Sequence, residues 1–350
     1  MLDHREGGDF DGGGEPQRRR ARRQRRRRSY VSLVQGRLGP PLAAGLAGAL
    51  TDDDLAFVVN TTDDIEHLGL HVSPDIDAVL YTLAGLADAE QGGSQLRHDT
   101  FTFSRQLTSL GMPDWLRIGD GALAGLVERT RRLRAGDTLA ATTAGMRARL
   151  GVLPQVMPVS NDWVCAVLET SDGWMPKLEY LACRTDGTRL CAVYVEGAGS
   201  ATPDPEVLMA LSASDLAGIV ITVPDPWLGL DPMLEVGGLT HALRQASAPV
   251  VACWQPTAPG QAARIAADLD LAMGVRGIVE HYDGLIDGLV IFGAPDPGDL
   301  PLPVLAVELG GPGGRSHAGS RTAAARRIVG FLDELAGQRR ITTCSSGARP

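Results

Sequence analysis

The sequence lacks several features that would narrow its function. Lysine occurs once among 33 basic residues, at Lys177, so a mechanism that places a lysine beside a phosphate has a single candidate. The five cysteines are an odd number without C-x-x-C spacing, which argues against a zinc site or a disulfide framework and indicates reduced thiols. The longest apolar stretches, such as AGIVITV at 217–223, are too short to span a bilayer. These absences predict a cytoplasmic protein without a transmembrane helix.

Common catalytic motifs are also missing. The chain contains no G-x-S-x-G elbow, no H-E-x-x-H pair and no Walker loop, which excludes the sequence signatures of several hydrolase and nucleotide-binding classes. Of the seven histidines only His67 and His71 lie near one another. They are candidates for a ligand or a general base, although loop histidines hydrogen-bonded to the chain are the more ordinary interpretation.

Charge is distributed unevenly along the chain. Residues 1–30 hold ten arginines against five acids, whereas the whole chain has a formal net charge of −9. The segment RRRARRQRRRR could bind nucleic acid by counterion release, but such runs are commonly solvated tails. We therefore predict a basic disordered tail at 1–29, and we do not expect nucleic acid as a partner.

The remaining chain predicts an α/β fold. Short runs rich in β-branched residues recur from YVSLV at 30–34 to PVLAVE at 303–308, and stretches of helical length separate most of them. This alternation is typical of a doubly wound, mostly parallel sheet covered on both faces. Two helical stretches and a hairpin-rich stretch predict a smaller subdomain inserted at about 115–195. The main domain is predicted at 30–308, and a linker, a last helix and a tail at 309–350.

A stretch rich in aspartate follows an early predicted strand. The run LAFVV at 55–59 ends at Asn60, so the next polar residues fall at the carboxyl end of a strand. In open α/β sheets that edge is where ligands bind. Asp63 and Asp64 lie at this edge, which favours a role in ligand binding. The alternative is that they belong to an ordinary turn.

The second half of this stretch predicts the start of a helix. HVSPDIDAVLYTLAGLAD begins with Ser73 as the N-cap and Pro74 in the first helical position. Asp75 and Asp77 then fall in the first turn, where the helix dipole favours acidic residues without any ligand. From the residues alone, metal binding and helix capping therefore both remain open for these two carboxylates.

The order VVN-T-T-D-D, then H-L-G-L-H-V-S-P-D-I-D and V-L-Y-T-L-A-G, resembles the signature of the 2-phospho-L-lactate transferase (CofD-like) family of coenzyme F-420 biosynthesis. The similarity continues in the same order through blocks that span about residues 30–295. These blocks are WLRIGD (115–120), VERTRRLRAGDTL (127–139), VMPVSND (156–162), VEGAGSATPDPEVLMAL (195–211) and PWLGLDPMLEVGGLTHAL (226–243).

The resemblance implies a Rossmann-like core that transfers a phospholactyl or phosphoenolpyruvyl group. The group passes from a guanosine diphosphate-linked donor to the deazaflavin Fo, with release of GMP. The resemblance also implies Mg²⁺ held by Asp63 and Asp75 as the catalytic residues, and a homodimer is a further possible assembly. The implied substrate-binding residues are Asn60, Thr62, Asp64, Asp77, Asp120, Arg129, Pro226 and Asp231. For Arg129 a solvated basic helix face is the alternative.

The chain departs from the family mainly on the donor side. The family's first loop, G-G-x-G-G-A-K, appears here as VQGRLGPPLAAGL, which keeps Gly36 and Gly39 for a phosphate loop but has Pro41 in place of the lysine. The family's P-S-N-P stretch appears as VPDP at 223–226. These departures leave a second hypothesis open, a catalytically impaired paralogue that binds deazaflavin or nucleotide in regulation or assembly.

A third hypothesis comes from the related gluconeogenesis-factor-like proteins, which share the fold and bind a UDP-sugar in a regulatory role. Their aspartate motif is followed by a run rich in glycine and serine. The segment DDIEHLGL at 63–70 differs from that pattern, which favours the transferase.

Overall fold

A computed structural model describes most of the chain after its first residues. The described residues are 28–88, 95–185, 187–256, 261–272, 274–293, 298–308 and 318–346. The predicted basic tail, apart from Arg28 and Ser29, lies outside them, and so do residues 309–317 of the predicted linker.

The runs rich in β-branched residues form the strands. Within the described residues these are β1 (Ser29–Val34), β2 (Leu55–Val59), β3 (Ile65–His67), β4 (Leu70–Val72), β5 (Gln155–Pro158), β6 (Cys165–Thr170), β7 (Gly173–Pro176), β8 (Leu190–Glu196), β9 (Leu216–Val223), β10 (Val250–Trp254), β11 (Gly288–Phe292) and β12 (Val304–Val307).

The helices fall mainly between these strands. They are α1 (Gly39–Ala49), α2 (Pro74–Leu83), α3 (Thr102–Ser109), α4 (Asp120–Arg134), α5 (Leu139–Arg149), α6 (Lys177–Cys183), α7 (Pro205–Leu211), α8 (Asp231–Leu234), α9 (Leu239–Gln245), α10 (Gln261–Asp268), α11 (Gly274–His281) and α12 (Ala318–Ser346). A π-helical turn at Pro226–Leu230 precedes α8.

Seven strands form one parallel sheet in the order β12-β11-β10-β9-β1-β2-β5. From β1 the chain winds outward through β2 to β5 on one side, and it then returns to the other side of β1 with β9. The predicted doubly wound α/β fold is therefore confirmed. The strand order reverses between β1 and β9, and in such sheets the crevice at this topological switch point binds ligands.

Separate apolar clusters cover the two faces of the sheet. Phe57, Leu80 and Leu332 belong to the cluster on one face, where α1, α2 and α12 pack. Val207 and Leu289 belong to the cluster on the other face, where α7, α9 and α11 pack. Burial on both faces explains why the strands are almost continuously apolar.

The predicted inserted elements are present, and the chain returns to the main sheet between them. Helices α4 and α5 come first, and β5 then pairs with β2 in the main sheet. The antiparallel sheet β7-β6-β8 follows. A short hairpin of β3 and β4 was not predicted, because its three-residue strands contain too few apolar residues to show an alternating pattern.

The last helix, predicted near residues 321–336, spans Ala318–Ser346 and packs closely on α1. A Cβ atom on Gly45 would lie 2.7 Å from the main-chain oxygen of Arg321, and one on Gly48 would lie 2.5 Å from Oγ1 of Thr322. Arg28 forms an ion pair with Asp333, so α12 also holds the start of β1. None of the helices in the described residues is long and apolar enough to cross a membrane.

Candidate functional site

The carboxyl ends of β1 and β9 are joined at the switch point by Gln35. Its main-chain N–H donates to Oγ1 of Thr222 at 3.0 Å, and its side-chain Nε2 donates to the carbonyl oxygen of Thr222 at 2.9 Å. Gln35 and Thr222 are both buried. These bonds fix the loops that leave β1 and β9, and the acidic residues lie around those loops.

The two glycines of the predicted phosphate loop lie after β1. Gly36 has a φ of +54°, and a Cβ atom there would come within 2.9 Å of Cγ of Pro224. Its N–H donates to Oδ1 of Asp75 at 2.9 Å. The N–H of Gly39 donates to the carbonyl oxygens of Gln35 and Gly36, both at 3.2 Å. Both N–H groups expected to bind an anion are therefore bonded within the protein in this conformation.

The two predicted catalytic aspartates come from different elements. Asp63 follows β2, and Asp75 lies in the first turn of α2, as predicted. Asn60 donates from Nδ2 to Oδ2 of Asp75 at 3.0 Å, and its Oδ1 accepts bonds from the N–H of Thr62 at 3.0 Å and its hydroxyl at 2.9 Å. Asn60 and Thr62 are fully buried, so Asn60 holds Asp75 from within the protein and Thr62 in turn fixes Asn60.

Lys177 completes this cluster, and the sequence did not predict its place. It is the first residue of α6, and its Nζ lies 2.5 Å from Oδ1 of Asp63 and 2.5 Å from the carbonyl oxygen of Leu228. Only 6% of its side chain is exposed. The one available signal was its uniqueness, because no local pattern connects the first residue of α6 with an aspartate 114 positions earlier.

The electrostatics of the cluster follow from burial. Burial and the neighbouring charge of Asp63 raise the pKa of Asp75 to about 7, while Lys177 and the hydrogen bonds from Asn60 and Gly36 oppose this rise. Burial also raises the pKa of Asp225, against which the N–H groups of the following turn and the charge of Lys177 act. Lys177 is thus the cation that faces several buried carboxyl groups at once.

Asp225, in the VPDP stretch after β9, caps a turn. Its Oδ1 accepts the N–H groups of Trp227 and Leu228, both at 3.0 Å. Asp225 therefore caps the turn whose Leu228 carbonyl oxygen binds Lys177. Farther along this segment, Oδ1 of Asp231 accepts the hydroxyl of Tyr282 at 2.9 Å.

Asp231 and Pro226, both predicted to bind substrate, are anchored by α11 and the residue after it. Oδ2 of Asp231 lies 2.8 Å from Nε2 of His281. The hydroxyl of Tyr282 also lies 3.2 Å from the carbonyl oxygen of Pro226. The segment 226–231, which carries the Leu228 carbonyl oxygen that binds Lys177, is thus held at both of its ends.

Asp64 forms a second buried carboxylate beside the first pair. Its Oδ2 accepts the hydroxyl of Ser73 at 2.6 Å and lies 2.9 Å from Nε2 of His71. Ser73 stands at the N-cap position as predicted, but its side chain bonds Asp64 instead of capping the helix. Among the described residues Oδ1 of Asp64 has no hydrogen-bond partner. His71 contacts the ring of Trp163 edge to face, with centroids 5.4 Å apart.

Asp77 and Arg129 form a buried ion pair with each other. Both terminal nitrogens of Arg129 donate to the two oxygens of Asp77, and the arginine side chain is 0% exposed. The alternative of a solvated basic face therefore does not apply to Arg129. The hydroxyl of Thr130 accepts the N–H of His71 at 2.8 Å, so this part of α4 supports the loop that carries His71.

Asp120 holds the start of a helix. It accepts the hydroxyl of Thr100 at 2.5 Å and the N–H groups of Thr102 and Phe103 at 3.0 and 2.9 Å. These bonds, with that of Thr100 first, lower the pKa of Asp120 to about 2. In this conformation its carboxylate caps α3.

The residues present fit an open magnesium site. The described residues contain no group of three or more His, Cys, Asp or Glu that could hold a metal ion. Asp63 and Asp75 supply two hard carboxylate ligands from separate elements, and Mg²⁺ commonly takes one or two carboxylates and completes its shell with water and substrate phosphate. The donor set fits a cation that a phosphate helps to hold, and it does not fit a closed protein cage.

A cavity of about 990 Å³ lies at the opposite edge of the sheet. It is lined by the first residues of several strands, including Ser29, Leu55 and Gln155. These are amino ends, whereas ligands in such sheets bind at the carboxyl ends. We therefore assign the site to the switch-point cluster, where the buried carboxylates and Lys177 lie.

The fold and the site together define a Rossmann-like α/β protein with a cluster of buried acidic residues at the topological switch point. The sequence model of the family 2-phospho-L-lactate transferase CofD matches residues 33–299. The chain is 31% identical over 277 residues to the 2-phospho-L-lactate transferase of Methanopyrus kandleri, covering 77% of this chain and 88% of the relative. The chain belongs to the CofD family.

A second relative agrees with this placement, and a solved structure shares the fold. The phosphoenolpyruvate transferase of Streptomyces griseus is 32% identical over 271 residues, covering 75% of this chain and 84% of the relative. The structure of a UPF0052-family protein from Bacillus halodurans superimposes with a TM-score of 0.56 at 15% identity, covering 87% of this chain and 98% of that one. That likeness supports the fold.

Proposed function

We propose that the protein transfers a phospholactyl or phosphoenolpyruvyl group from a guanosine diphosphate-linked donor to a ribityl hydroxyl of the deazaflavin Fo, releasing GMP, in coenzyme F-420 biosynthesis. Family membership supports the reaction class, since relatives named for each of the two groups are about equally similar to this chain. The observation that carries the proposal is the buried pair Asp63 and Asp75 with Lys177 at the switch point.

The transfer forms one O–P bond and breaks another. The hydroxyl oxygen attacks the phosphorus that carries the lactyl or enolpyruvyl group, the bond to the bridging oxygen breaks, GMP leaves with that oxygen, and the hydroxyl proton passes to water. Phosphoryl transfer depends mainly on positioning and on neutralising the phosphate oxygens. The contribution of the chain is therefore the fixed arrangement of its charged groups.

Asp63 and Asp75 are the residues that would hold Mg²⁺, which supplies positive charge to the diphosphate oxygens when bound. Asn60 and Gly36 keep the carboxylate of Asp75 in one orientation by donating to its two oxygens. Gln35 fixes the relative position of the loops around the site, because its hydrogen bonds to Thr222 join the ends of β1 and β9.

The proposal is tested with purified protein, Fo, Mg²⁺ and either guanylated donor, with phosphorylated deazaflavin and GMP measured by mass spectrometry. Product is expected from at least one donor, and Asp63→Asn and Asp75→Asn should each lower the rate by about a hundredfold or more. Asp52→Asn, an exposed change at the amino edge of the sheet, is the matched control and should leave the rate unchanged. Absence of product from both donors, with the Methanopyrus kandleri relative active in the same assay, would rule the proposal out.

A second candidate is a paralogue that binds deazaflavin or nucleotide without turnover. The observation that favours it is that the N–H groups of Gly36 and Gly39 are already bonded within the protein, with Pro41 nearby lacking an N–H. It predicts binding of Fo by calorimetry together with no product. The variant Pro41→Lys, which introduces the lysine of the family's loop, should then bind the guanylated donor more tightly. An unchanged affinity would count against this candidate.

A further inference from the structure

The one lysine of the chain lies among the carboxylates of the proposed transfer site. Nζ of Lys177 contacts Oδ1 of Asp63 and the carbonyl oxygen of Leu228, both at 2.5 Å. The residue is 5% exposed overall. Burying an ammonium group costs several kcal/mol unless it is paired, so this position is stable only because acidic partners surround it.

The contacts in the described residues use two of the three N–H donors of the Lys177 ammonium group. An ammonium group carries three N–H donors, and within the described residues the structure gives Lys177 two close oxygen partners, one on Asp63 and one on Leu228. The remaining N–H donor of Lys177 lies in the same cluster of buried charges as Asp75. A phosphate oxygen is a suitable acceptor for it, because a charged donor and a charged acceptor form a strong hydrogen bond.

The same contact makes Lys177 compete with a divalent cation for the carboxylate of Asp63. A metal ion held by Asp63 and Asp75 would use oxygens of Asp63, and one of these already faces the ammonium group. Two positive groups at one carboxylate oxygen repel each other. Binding of the metal to the free protein therefore has to displace or weaken the contact between Lys177 and Asp63.

We propose that Lys177 is a resident cation of the transfer site, which lowers the affinity of the free protein for divalent metal and binds a phosphate oxygen of the diphosphate donor. This assignment rests on the proposed function for the identity of the donor. It gives Lys177 a role in substrate binding that neither its family resemblance nor its sequence neighbourhood indicates. Lys177 supplies one fixed positive charge before any metal arrives, and the donor diphosphate exchanges part of the contact with Asp63 for one with phosphate.

The first measurement uses the metal alone. Binding of Mn²⁺ to the free protein is followed by electron paramagnetic resonance for the wild type, Lys177→Met and Lys177→Arg. Lys177→Met should bind Mn²⁺ about tenfold more tightly, because it removes the competing cation and keeps a side chain of similar length. Lys177→Arg keeps the charge and should remain close to the wild type. Unchanged or weaker Mn²⁺ binding by Lys177→Met overturns the proposal.

The second measurement uses inorganic pyrophosphate in the presence of EDTA, followed by calorimetry. Lys177→Met should bind pyrophosphate about tenfold more weakly than the wild type, and Lys177→Arg should retain most of the affinity. Arg149→Met is the matched control, since Arg149 is exposed on α5 and its loss changes the net charge equally. Equal losses in Arg149→Met and Lys177→Met would show a general charge effect and would overturn the assignment.

Two additions keep the test decisive. Lys177→Gln carries the same expectations as Lys177→Met, and it retains a polar contact to the Leu228 carbonyl oxygen if the methionine variant fails to fold. The turnover assay with Fo is run separately on the wild type. Turnover without the expected changes in Mn²⁺ and pyrophosphate binding rejects the role of Lys177 alone, whereas those changes without turnover reject the proposed reaction alone.

Discussion

The main-chain N–H of Gly36 donates a hydrogen bond to Oδ1 of Asp75 over 2.9 Å. The bond joins the loop after β1 to the first turn of α2. On its other side Gly36 is so close to Pro224 that a Cβ atom would come within 2.9 Å of the proline ring. One glycine therefore sets the spacing of three loops, including the one that carries a predicted catalytic carboxylate.

Gly36→Ala should destabilise the protein and displace Asp75. The positive φ costs a non-glycine residue about 1–2 kcal/mol, and the contact with Pro224 adds an overpacking cost of similar size, so the free energy of unfolding should fall by about 2–4 kcal/mol. Gly151→Ala is the control, because Gly151 has a φ of +69° with nothing within 4 Å, and it should lose only about 1–2 kcal/mol. Urea denaturation compares the two, and equal losses would show that Pro224 yields without cost.

Arg129→Met should unfold the protein more readily, because it leaves the buried carboxylate of Asp77 without its partner. Removing one member of a buried ion pair typically costs about 3–5 kcal/mol. Replacing both members, as in Asp77→Leu with Arg129→Met, should cost less than either single change. Urea denaturation of the three variants tests this. A fully stable Arg129→Met protein would contradict a structural role for the pair and would favour the implied role of Arg129 in substrate binding.

The stability of the metal-free protein should fall as pH rises from about 4 to about 7. The pKa of Asp75 in the folded protein, about 7, lies above its ordinary value of 3.8, so in this range the folded state binds more protons than the unfolded state. A folded-state pKa that is higher by one corresponds to about 1.4 kcal/mol in the free energy of unfolding. This free energy is measured in EDTA between pH 4 and 8. Asp75→Asn should show a shallower decline, and parallel curves for the two proteins would contradict this origin.

Trp163→Ala should weaken binding of Fo by about tenfold. Trp163 is 45% exposed, and its ring contacts His71, which in turn lies 2.9 Å from Asp64, so an aromatic surface is exposed beside the buried acidic cluster. Trp174→Ala is the matched control, since Trp174 is 59% exposed but packs on Tyr194 in the small sheet. Calorimetry with Fo compares the variants, and equal affinities of Trp163→Ala and the wild type would show that the deazaflavin does not use this ring.

Those features of the fold that depend on neighbouring residues could be predicted from the sequence. The strand at 55–59 and the start of α2 at Pro74 follow from β-branched runs and from helix-start residues. Asp75 and Asp77 accordingly lie in the first turn, as expected. The mostly parallel sheet followed from the alternation of strands and helices, whereas the order of its strands was not predicted.

The site itself depends on contacts between distant parts of the chain, which local patterns do not contain. Asp77 and Arg129 are 52 positions apart, and the pairing gives each a buried partner instead of a solvent-facing role. Ser73 occupies its predicted N-cap position, yet its hydroxyl is oriented to donate to the buried carboxylate of Asp64, and its oxygen accepts no capping N–H. Lys177 reaches Asp63 because α6, which follows β7 of the small sheet, begins beside this aspartate.

Because α12 packs closely on α1, the folded unit extends beyond the residues that match the family. The family match ends at residue 299, yet Ile328 and Leu332 of the last helix are completely buried against the sheet. A protein cut at the end of the family match would expose that apolar face and lose the partner of Arg28. Recombinant boundaries should therefore run through the whole of α12, and a shorter protein is expected to aggregate before its activity can be assayed.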